Sequence, residues 1–383
     1  MKIFIIDKSR YCGGAERSLA LLLKTLPREA EIFLVTDYAS THLAECESFA
    51  RGRVLRRFST LAFIPVFLER FSRFRWVRAL SRILMALALL PLLLKYRPDA
   101  VDFNLFRSLD QWDLRICRLC RIKTVCHIRS LHGQIILPPA VIPLVDHFIC
   151  VSRHVADGFS EIPENKKSVI HNAVEANPLM AKVSQREARE KLGLAENGIL
   201  IGSVAVCEKR KGHDAAIGGF AAVAAEFPSA RLLVIGRDVT PGQAETARLK
   251  DIALKLGVAD RVSFAEFKPE LMPFVYIALD LVLALSSDGE AFGRVPIEAG
   301  CYGRMSVVSA CGAFLETVSD MRTGILIPPT AEALASKLRA LLQSPAERER
   351  MSENARVEFP ARFSPVLNSE KTLQVYKQVL GRK

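Results

Sequence analysis

The chain has 383 residues, half of them hydrophobic and a quarter charged, which excludes an intrinsically disordered protein. A chain of this length is longer than one that folds around a single hydrophobic core, which indicates two domains. Lysine and arginine outnumber aspartate and glutamate by 53 to 41, and the resulting net charge of +12 favours an anionic partner, such as nucleic acid, an anionic membrane or a phosphorylated ligand.

Short β-branched segments alternate with helical patterns along the whole chain. In chain order they predict ten strands: Ile3–Ile6, Glu31–Val35, Ala100–Phe103, Lys123–His127, His147–Val151, Ile199–Val204, Arg231–Ile235, Arg261–Ala265, Leu281–Ala284 and Ser306–Val308. Because this alternation is typical of parallel sheets with right-handed crossovers, we predict an α/β protein.

The predicted strands fall into two groups, separated by residues 172–198. We therefore predict two doubly wound domains, at residues 1–175 and 176–363, that face each other across a cleft at the carboxyl ends of their sheets. Residues 364–383 have the pattern of a capped amphipathic helix, which we expect to pack back on the first domain.

Membrane and targeting signals are weak. The first apolar run ends at Asp7 and is too short for a signal peptide. The longest apolar run, residues 83–94, is short of the ~20 residues that span a bilayer, so we expect no transmembrane helix and a cytoplasmic protein with reduced thiols. Cys117 and Cys120 form a lone C-x-x-C without a second pair, which predicts structural thiols and no metal site.

The segment Arg51–Arg82 carries nine arginines and one acid. Its aromatic side chains share one helical face and its arginines another, as in Phe67, Phe71 and Phe74 against Arg75, Arg78 and Arg82. This pattern is typical of an interfacial helix and predicts peripheral binding to the anionic inner face of the cell membrane. The alternative is a solvated face that packs on the sheet. Without a nucleic-acid-binding motif, we expect no nucleic-acid partner.

Residues 281–298 hold a predicted strand, a loop S-S-D-G-E-A-F-G and a helix that begins near Arg294, with Pro296 in its first turn. The backbone N–H groups of residues 292–295 would then form an anion site suited to a diphosphate. Glu298, one turn into the helix, suits a ribose diol, and Glu290, before the turn, suits sugar hydroxyls. The alternative is a capped helix with a surface acid.

A cluster of cations follows the strand that ends at Val204. Lys209, Arg210 and Lys211 lie before a predicted helix, where they oppose the helix dipole and favour an anion. A leaving nucleoside diphosphate needs such positive charge. A solvated basic turn is the alternative.

Two further patterns lie in the first half. Gly13-Gly14 permits a tight turn and close approach of a ligand, although turns alone explain most such pairs. His127 lies at the carboxyl end of a predicted strand, and open α/β sheets bind ligands beyond these ends. Arg129, two residues later, could contact an anionic acceptor. A structural or exposed histidine is the alternative.

The pattern E-A-F-G-R-V-P-I-E resembles the E-x7-E motif of retaining glycosyltransferases of the GT-B fold, of the group 1 and family 4 type. Lipopolysaccharide-core enzymes belong to this family. The following sequence, which includes A-C-G-A-F-L-E-T-V and T-G-I-L-I-P-P, fits the family as well. The resemblance is specific from Asp280 to Pro329 and weaker over the N-terminal half.

The resemblance implies two Rossmann-like domains and transfer of a sugar, with retention, from a UDP- or GDP-linked donor. The implied acceptor is a lipid-linked or polysaccharide glycan of the cell envelope, and no metal or other cofactor is implied. Implied catalytic residues are His127, Lys211 and Glu290. Implied donor-binding residues are Gly13, Gly14, Lys209, Arg210, Lys211, Glu290, Ala291, Phe292, Gly293, Arg294, Val295 and Glu298.

One position departs from the family. Val206 stands five residues before Lys211, where the family has a phosphate-binding arginine, and Lys209 or Arg210 is expected to compensate. This departure favours the alternative of a non-catalytic nucleotide- or lipid-head-group-binding protein on the same fold. A GT-B nucleotide-sugar epimerase is the second alternative.

Overall fold

The computed structural model describes residues 1–9, 13–37, 43–50, 52–57, 83–84, 86–105, 111–135, 137–266 and 269–382. The chain divides into two compact units. The first unit comprises Met1–Ala173 and Pro365–Lys383, and the second comprises Val174–Ser364. Each unit has its own parallel sheet and its own apolar core.

The described strands of the first unit form one parallel sheet. Their bounds are β1 (Lys2–Asp7), β2 (Glu31–Asp37), β3 (Val54–Arg57), β4 (Ala100–Phe103), β5 (Lys123–Ile128), β6 (His147–Cys150) and β7 (Lys167–Val169). The strand order is β3-β2-β1-β4-β5-β6-β7. Central β1 has Ile3 paired with Ile32 of β2 and with Ala100 of β4. Because a central parallel strand is covered on both faces, β1 is continuously apolar from Ile3 to Ile6.

The described strands of the second unit form a second parallel sheet. Their bounds are β8 (Leu200–Val204), β9 (Arg231–Ile235), β10 (Val262–Ala265), β11 (Leu281–Ala284), β12 (Ser306–Ser309) and β13 (Gly324–Ile327). The order is β10-β9-β8-β11-β12-β13, so the direction of winding reverses between β8 and β11. In sheets of this kind ligands bind beyond the carboxyl ends of the strands at the reversal.

Helices connect the strands in both units. In the described part of the chain they are α1 (Gly14–Thr25), α2 (Ala44–Phe49), α3 (Leu90–Tyr96), α4 (Gln111–Leu119), α5 (Arg153–Gly158), α6 (Gln185–Lys191), α7 (His213–Ala224), α8 (Ala244–Lys255), α9 (Met272–Ala278), α10 (Arg294–Cys301), α11 (Phe314–Thr317), α12 (Ala331–Gln343), α13 (Pro345–Arg362) and α14 (Pro365–Val379). Terminal helix α14 buries Leu373 and Tyr376 in the core of the first unit, beside Leu19 of α1. The architecture confirms the predicted α/β class.

Three strands are missing from the sequence prediction: β3, β7 and β13. Each lies at the edge of its sheet. An edge strand has only one neighbour, and β3 and β7 are less apolar than the central strands, whereas β13, with the sequence G-I-L-I, is apolar and mostly buried. β3 has the sequence V-L-R-R, and β7 has K-S-V. Segments this short and polar carry no strand signal of their own.

The arginine-rich segment enters the described structure only at residues 52–57. There Arg56 pairs with Glu47, and Arg57 is buried between Asp37 and Asp113, with the latter two contacts at 2.8 and 3.1 Å. Arg56 and Arg57 are therefore paired with acids of the protein itself. The predicted aromatic–arginine helix at residues 67–82 lies outside the described residues.

The C-x-x-C pair lies at the end of α4. Cys117 is buried, Cys120 is half-buried, and both are free thiols. Burial raises the pKa of Cys117, which suits an inert packing residue. Across the described ranges, no group of three or more potential metal ligands occurs, and no helix is long and apolar enough to cross a membrane.

Candidate functional site

The second unit brings Lys211 and Glu290 together at the point where its winding reverses. Lys211 follows β8 and Glu290 follows the neighbouring strand β11. The Lys211 Nζ and Glu290 Oε1 atoms are 2.5 Å apart, and the side chains are 12% and 21% exposed. The Ser286 hydroxyl donates to the same Glu290 oxygen. A cation and a carboxylate, both partly exposed to solvent, are therefore in contact in the loops that follow the carboxyl ends of β8 and β11.

Backbone contacts hold the two loops in place. The Ser287 N–H donates to the Arg210 carbonyl oxygen at 2.9 Å. Gly212 has φ +69°, and a Cβ atom there would lie 2.0 Å from the Leu285 carbonyl oxygen. Only glycine allows the backbone to come this close to Leu285 with a positive φ. The position of Lys211 is thus fixed by the residue that follows it.

A second glycine contact fixes the backbone of Glu290. The Ala313 N–H donates to the Glu290 carbonyl oxygen at 3.0 Å. Gly312 has φ +61°, and a Cβ atom there would lie 2.6 Å from the Glu290 nitrogen. The sequence C-G-A-F resembles the family, but this supporting role of Gly312 is visible only in the structure.

Helix α10 begins at Arg294, as predicted, with Gly293 as its N-cap at φ +75°. A Cβ atom at Gly293 would lie 2.4 Å from the Phe314 ring, so this turn also requires glycine. The first N–H groups of an α-helix have no acceptor within the helix and carry its positive partial charge. A diphosphate at this helix start would lie next to Lys211 and Glu290, because Glu290 is only four residues from Arg294.

Glu298 lies one turn into α10 and is engaged by two protein donors. The Arg294 Nε donates to Glu298 Oε1 at 3.0 Å, and the Tyr276 hydroxyl donates to Oε2 at 2.8 Å. Tyr276 comes from α9 and was not predicted as a site residue. Its only sequence signal is an aromatic residue in an apolar helix, which is indistinguishable from a core position.

The predicted cations differ in their surroundings. Arg210 donates through Nε to Glu208 at 3.0 Å and lies 3.8 Å from Asp288. Lys209 is exposed and forms no ion pair with any residue that the structure describes. Val206 is 36% exposed. Lys211 is therefore the cation that the fold brings into contact with Glu290.

His213, the first residue of α7, was also missed. Its Nδ1 lies 2.8 Å from the Ser203 hydroxyl oxygen and its Nε2 lies 3.3 Å from the Val206 carbonyl oxygen. Burial lowers the pKa of His213, so the ring is neutral at neutral pH. It ties the loop that precedes Lys211 to β8.

A cavity of about 250 Å³ opens at the carboxyl ends of β9 and β10. It adjoins the Lys211 loop, because Cys207 lines it and the Cys207 N–H donates to the Arg237 carbonyl oxygen at 2.9 Å. Its wall combines aromatic, cationic and acidic side chains, among them Phe264, Arg237, Lys250, Asp238 and Glu266.

In the first unit, Gly13 and Gly14 begin α1. The Gly13 N–H donates to Glu16 Oε2 at 2.7 Å. Asp7, at the end of β1, accepts from the Ser9 N–H at 2.7 Å and from Asn104 Nδ2 at 2.6 Å. Burial raises the pKa of Asp7, and the Glu16 carboxylate raises it further.

His127 is buried at the end of β5, and both of its ring nitrogens contact protein groups. Its Nε2 lies 3.1 Å from Asp102 Oδ2, and its Nδ1 lies 3.1 Å from Arg129 Nη2. Because Asp102 accepts and Arg129 donates, the ring carries its proton on Nε2. Burial lowers the pKa of His127, and the Asp102 carboxylate offsets part of that decrease. Tyr376 of α14 donates its hydroxyl to Asp102.

Asn104 links these two parts of the first unit. It donates to Asp7, and its side-chain and backbone oxygens accept from Arg129 at 2.8 and 2.7 Å. Arg129 also donates to Asn172. The predicted residues His127 and Arg129 thus belong to a hydrogen-bonded network that includes Asp102, which the sequence analysis did not identify.

Two family models match the chain. The model described as Glycosyltransferase Family 4 matches residues 12–177, and the model described as Glycosyl transferases group 1 matches residues 184–358. The chain is similar to D-inositol 3-phosphate glycosyltransferases. It is 32% identical to that of Mycobacteroides abscessus over 161 residues (42% of this chain, 35% of the relative). It is 33% identical to that of Segniliparus rotundus over 195 residues (50% and 43%). The chain thus covers less than half the length of either relative.

Solved structures share the fold over the whole chain. A glycosyltransferase from Rickettsia africae has a TM-score of 0.83 at 19% identity, with 100% of this chain and 99% of that chain covered. Anabaena HepE in complex with UDP-glucose has a TM-score of 0.78 at 19% identity, with 99% and 100% covered. These likenesses confirm the predicted pair of Rossmann-like domains.

Proposed function

Because the chain belongs to the GT-B glycosyltransferases, we propose that it transfers a sugar from a nucleotide-sugar donor to a glycan or glycolipid acceptor, with retention of the anomeric configuration. The observation that carries this proposal is the 2.5 Å contact between Lys211 and Glu290 beside the start of α10. A cation and a hydrogen-bond acceptor for sugar hydroxyls are thus in contact, and Glu290 lies four residues before the start of α10, which supports a donor site here.

Each group has a defined task in the proposed reaction. The N–H groups at the start of α10 hold the diphosphate, and Lys211 stabilises the negative charge that grows on it as the glycosidic bond breaks. Glu290 accepts hydrogen bonds from the sugar hydroxyls and orients the ring. The acceptor hydroxyl attacks from the same face as the leaving group, and the departing phosphate takes its proton.

The donor in this proposal is a UDP- or GDP-linked sugar. The cavity at the ends of β9 and β10 would take the base, since Phe264 offers a ring to pack against and Arg237, Asp238 and Glu266 offer polar edges. The HepE structure contains UDP-glucose, which supports UDP as the first nucleotide to test.

For the acceptor, we propose a lipid-linked or polysaccharide glycan of the cell envelope. The similar D-inositol 3-phosphate glycosyltransferases make inositol 3-phosphate the competing candidate. Both candidates carry or accompany anionic groups, in keeping with the net charge of +12.

The enzymatic test is release of nucleoside diphosphate from a panel of UDP- and GDP-sugars, with inositol 3-phosphate and lipid-linked acceptors in separate arms. NMR of the product gives the anomeric configuration. Lys211→Ala and Glu290→Ala should each lower transfer at least a hundredfold. Lys255→Ala and Glu226→Ala are matched controls, because both side chains form exposed surface pairs, and they should transfer normally. Full activity of both site variants would overturn the site assignment.

Val206 favours a second candidate, a non-catalytic nucleotide-binding protein, because no guanidinium stands at that position. Such a protein would bind UDP or GDP yet release no nucleoside diphosphate from any donor. A nucleotide-sugar epimerase would instead interconvert donor sugars in the absence of an acceptor. The same assay therefore separates all three functions.

We further propose that the enzyme works at the inner face of the cell membrane, through the segment Arg51–Arg82. Arg56 and Arg57 are used inside the protein, so the contact would come from the other arginines of the segment. Flotation with anionic liposomes tests this, with neutral liposomes as the control. Absence of salt-sensitive binding would reject it.

A further inference from the structure

Glu298 is held more firmly than a single surface carboxylate would be. Each of its two oxygens accepts from a different protein donor, Arg294 Nε at 3.0 Å and the Tyr276 hydroxyl at 2.8 Å. The Arg294 and Glu298 side chains are each only 16% exposed. The two donors come from separate helices, α10 and α9, so together they set the plane of the carboxylate.

Tyr276 is itself fixed at its ring. It is 2% exposed, and its ring stacks on Tyr302 with centroids 5.9 Å apart and an interplanar angle of 14°. The Tyr302 hydroxyl in turn accepts from the Asn177 N–H at 3.0 Å. The phenol that reaches Glu298 therefore has little freedom to follow the carboxylate if it turns.

A carboxylate oxygen has two lone-pair directions, so one oxygen can accept from a protein donor and from a ligand at once. With Tyr276 donating to one Glu298 oxygen and Arg294 to the other, each oxygen keeps a second lone pair that can accept from a ligand. Two adjacent acceptors at a fixed spacing match the two hydroxyls of a ribose cis-diol.

We infer that Tyr276 and Arg294 are positioning residues that hold Glu298 for the 2′- and 3′-hydroxyls of the donor ribose. This inference rests on the proposed function, together with the prediction from sequence that Glu298 binds the ribose diol of the donor. It adds that recognition of ribose over deoxyribose depends on a tyrosine 22 residues before the carboxylate in the sequence.

The test measures binding by calorimetry, with UDP against 2′,3′-dideoxy-UDP, and with GDP and its dideoxy analogue in parallel. The wild-type protein should prefer the ribonucleotide at least tenfold, because a site built to bind hydroxyls rejects analogues that lack them. Tyr276→Phe should cut this preference roughly fivefold or more through weaker ribonucleotide binding, with the dideoxy affinity unchanged. Arg294→Leu should lower the preference likewise. Its lost charge would weaken both nucleotides equally, so the ratio isolates the effect on ribose.

Controls separate the possible failures. Tyr96→Phe makes the same chemical change in the first unit and should leave the preference intact. Glu298→Gln should abolish most of the preference. If Glu298→Gln does so while Tyr276→Phe and Arg294→Leu keep the full preference, the positioning inference is overturned and the ribose assignment stands. If Glu298→Gln keeps the preference, the assignment of the ribose to Glu298 fails, and the inference fails with it. If no nucleotide binds the wild-type protein, the proposed function itself fails.

Discussion

The contact between Lys211 and Glu290 predicts that one substitution will change nucleotide affinity and the rate of sugar transfer in opposite directions. Under the proposed function the donor diphosphate and the Glu290 carboxylate both bind Lys211. Bringing in the diphosphate therefore requires the 2.5 Å ion pair to loosen. Glu290→Gln removes the competing charge and keeps the shape of the side chain. We expect this variant to bind UDP or GDP more tightly than the wild-type protein, while it transfers sugar more slowly.

The magnitude follows from the exposure of the pair. Fully exposed ion pairs contribute about 0.2–1 kcal/mol, and hydrogen bonds to charged groups in protected positions contribute about 1.5–3 kcal/mol. Side chains that are 12% and 21% exposed fall between these cases, so the pair is worth about 1–2 kcal/mol. Relief from this competition should tighten nucleoside diphosphate binding roughly five- to thirtyfold.

Calorimetric titration with UDP and GDP measures the affinity, and release of nucleoside diphosphate measures transfer. Glu226→Gln is the matched control, because Glu226 pairs with Arg339 on the surface, and it should change neither quantity. Weaker nucleotide binding by Glu290→Gln would refute the reasoning, since it would mean that Glu290 assists diphosphate binding rather than competing with it.

Three further predictions concern stability. Tyr376→Phe removes the hydroxyl that donates to the buried Asp102 carboxylate and should lower the free energy of unfolding by about 1.5–3 kcal/mol in urea titration; a loss below about 0.5 kcal/mol would contradict the assigned hydrogen bond. Arg57→Met leaves two buried carboxylates without their guanidinium and should cost about 3–5 kcal/mol by the same measurement, whereas an unchanged midpoint would show that the cluster is not stabilising. Acidification should lower the melting temperature. Burial lowers the pKa of His213 in the folded protein below its value in the unfolded chain. Below about pH 6.5 the unfolded chain therefore gains a proton at His213 that the folded protein does not, and this favours unfolding. His213→Asn should flatten that dependence between about pH 7.5 and 5.5, and an equally steep slope in the variant would exclude His213 as its source.

The sequence predicted the parts of the fold that depend on local pattern. Central strands such as β1 and β11 are continuous apolar runs because both faces are buried. The start of α10 was predicted from the loop after β11 and from Pro296 in the first turn, where the fixed φ of proline suits a helix. The edge strands β3 and β7 were missed because they are short and partly polar and so lack such a pattern.

Site residues that act through distant partners could not be predicted in this way. Arg57 lies in a segment that is basic in sequence, and only the fold brings Asp37 and Asp113 to it. Tyr276 has the pattern of a core aromatic residue until α9 and α10 are placed side by side. In both cases the deciding contact joins residues 20 or more positions apart, which no local spacing encodes.

The surroundings of His127 change how its predicted role should be understood. Its imidazole separates a buried carboxylate, Asp102, from the Arg129 guanidinium, and it bonds to each through one nitrogen. A neutral ring in this position can donate to the Asp102 carboxylate and accept from the Arg129 guanidinium at the same time, so it links the two charged groups by hydrogen bonds. We expect Arg129 to take part in any contact with an anionic substrate here, and its guanidinium is held by Asn104 and Asn172 as well as by His127. Tyr376 extends the dependence to α14, so a helix from the far end of the chain helps to set the geometry at the carboxyl end of β5.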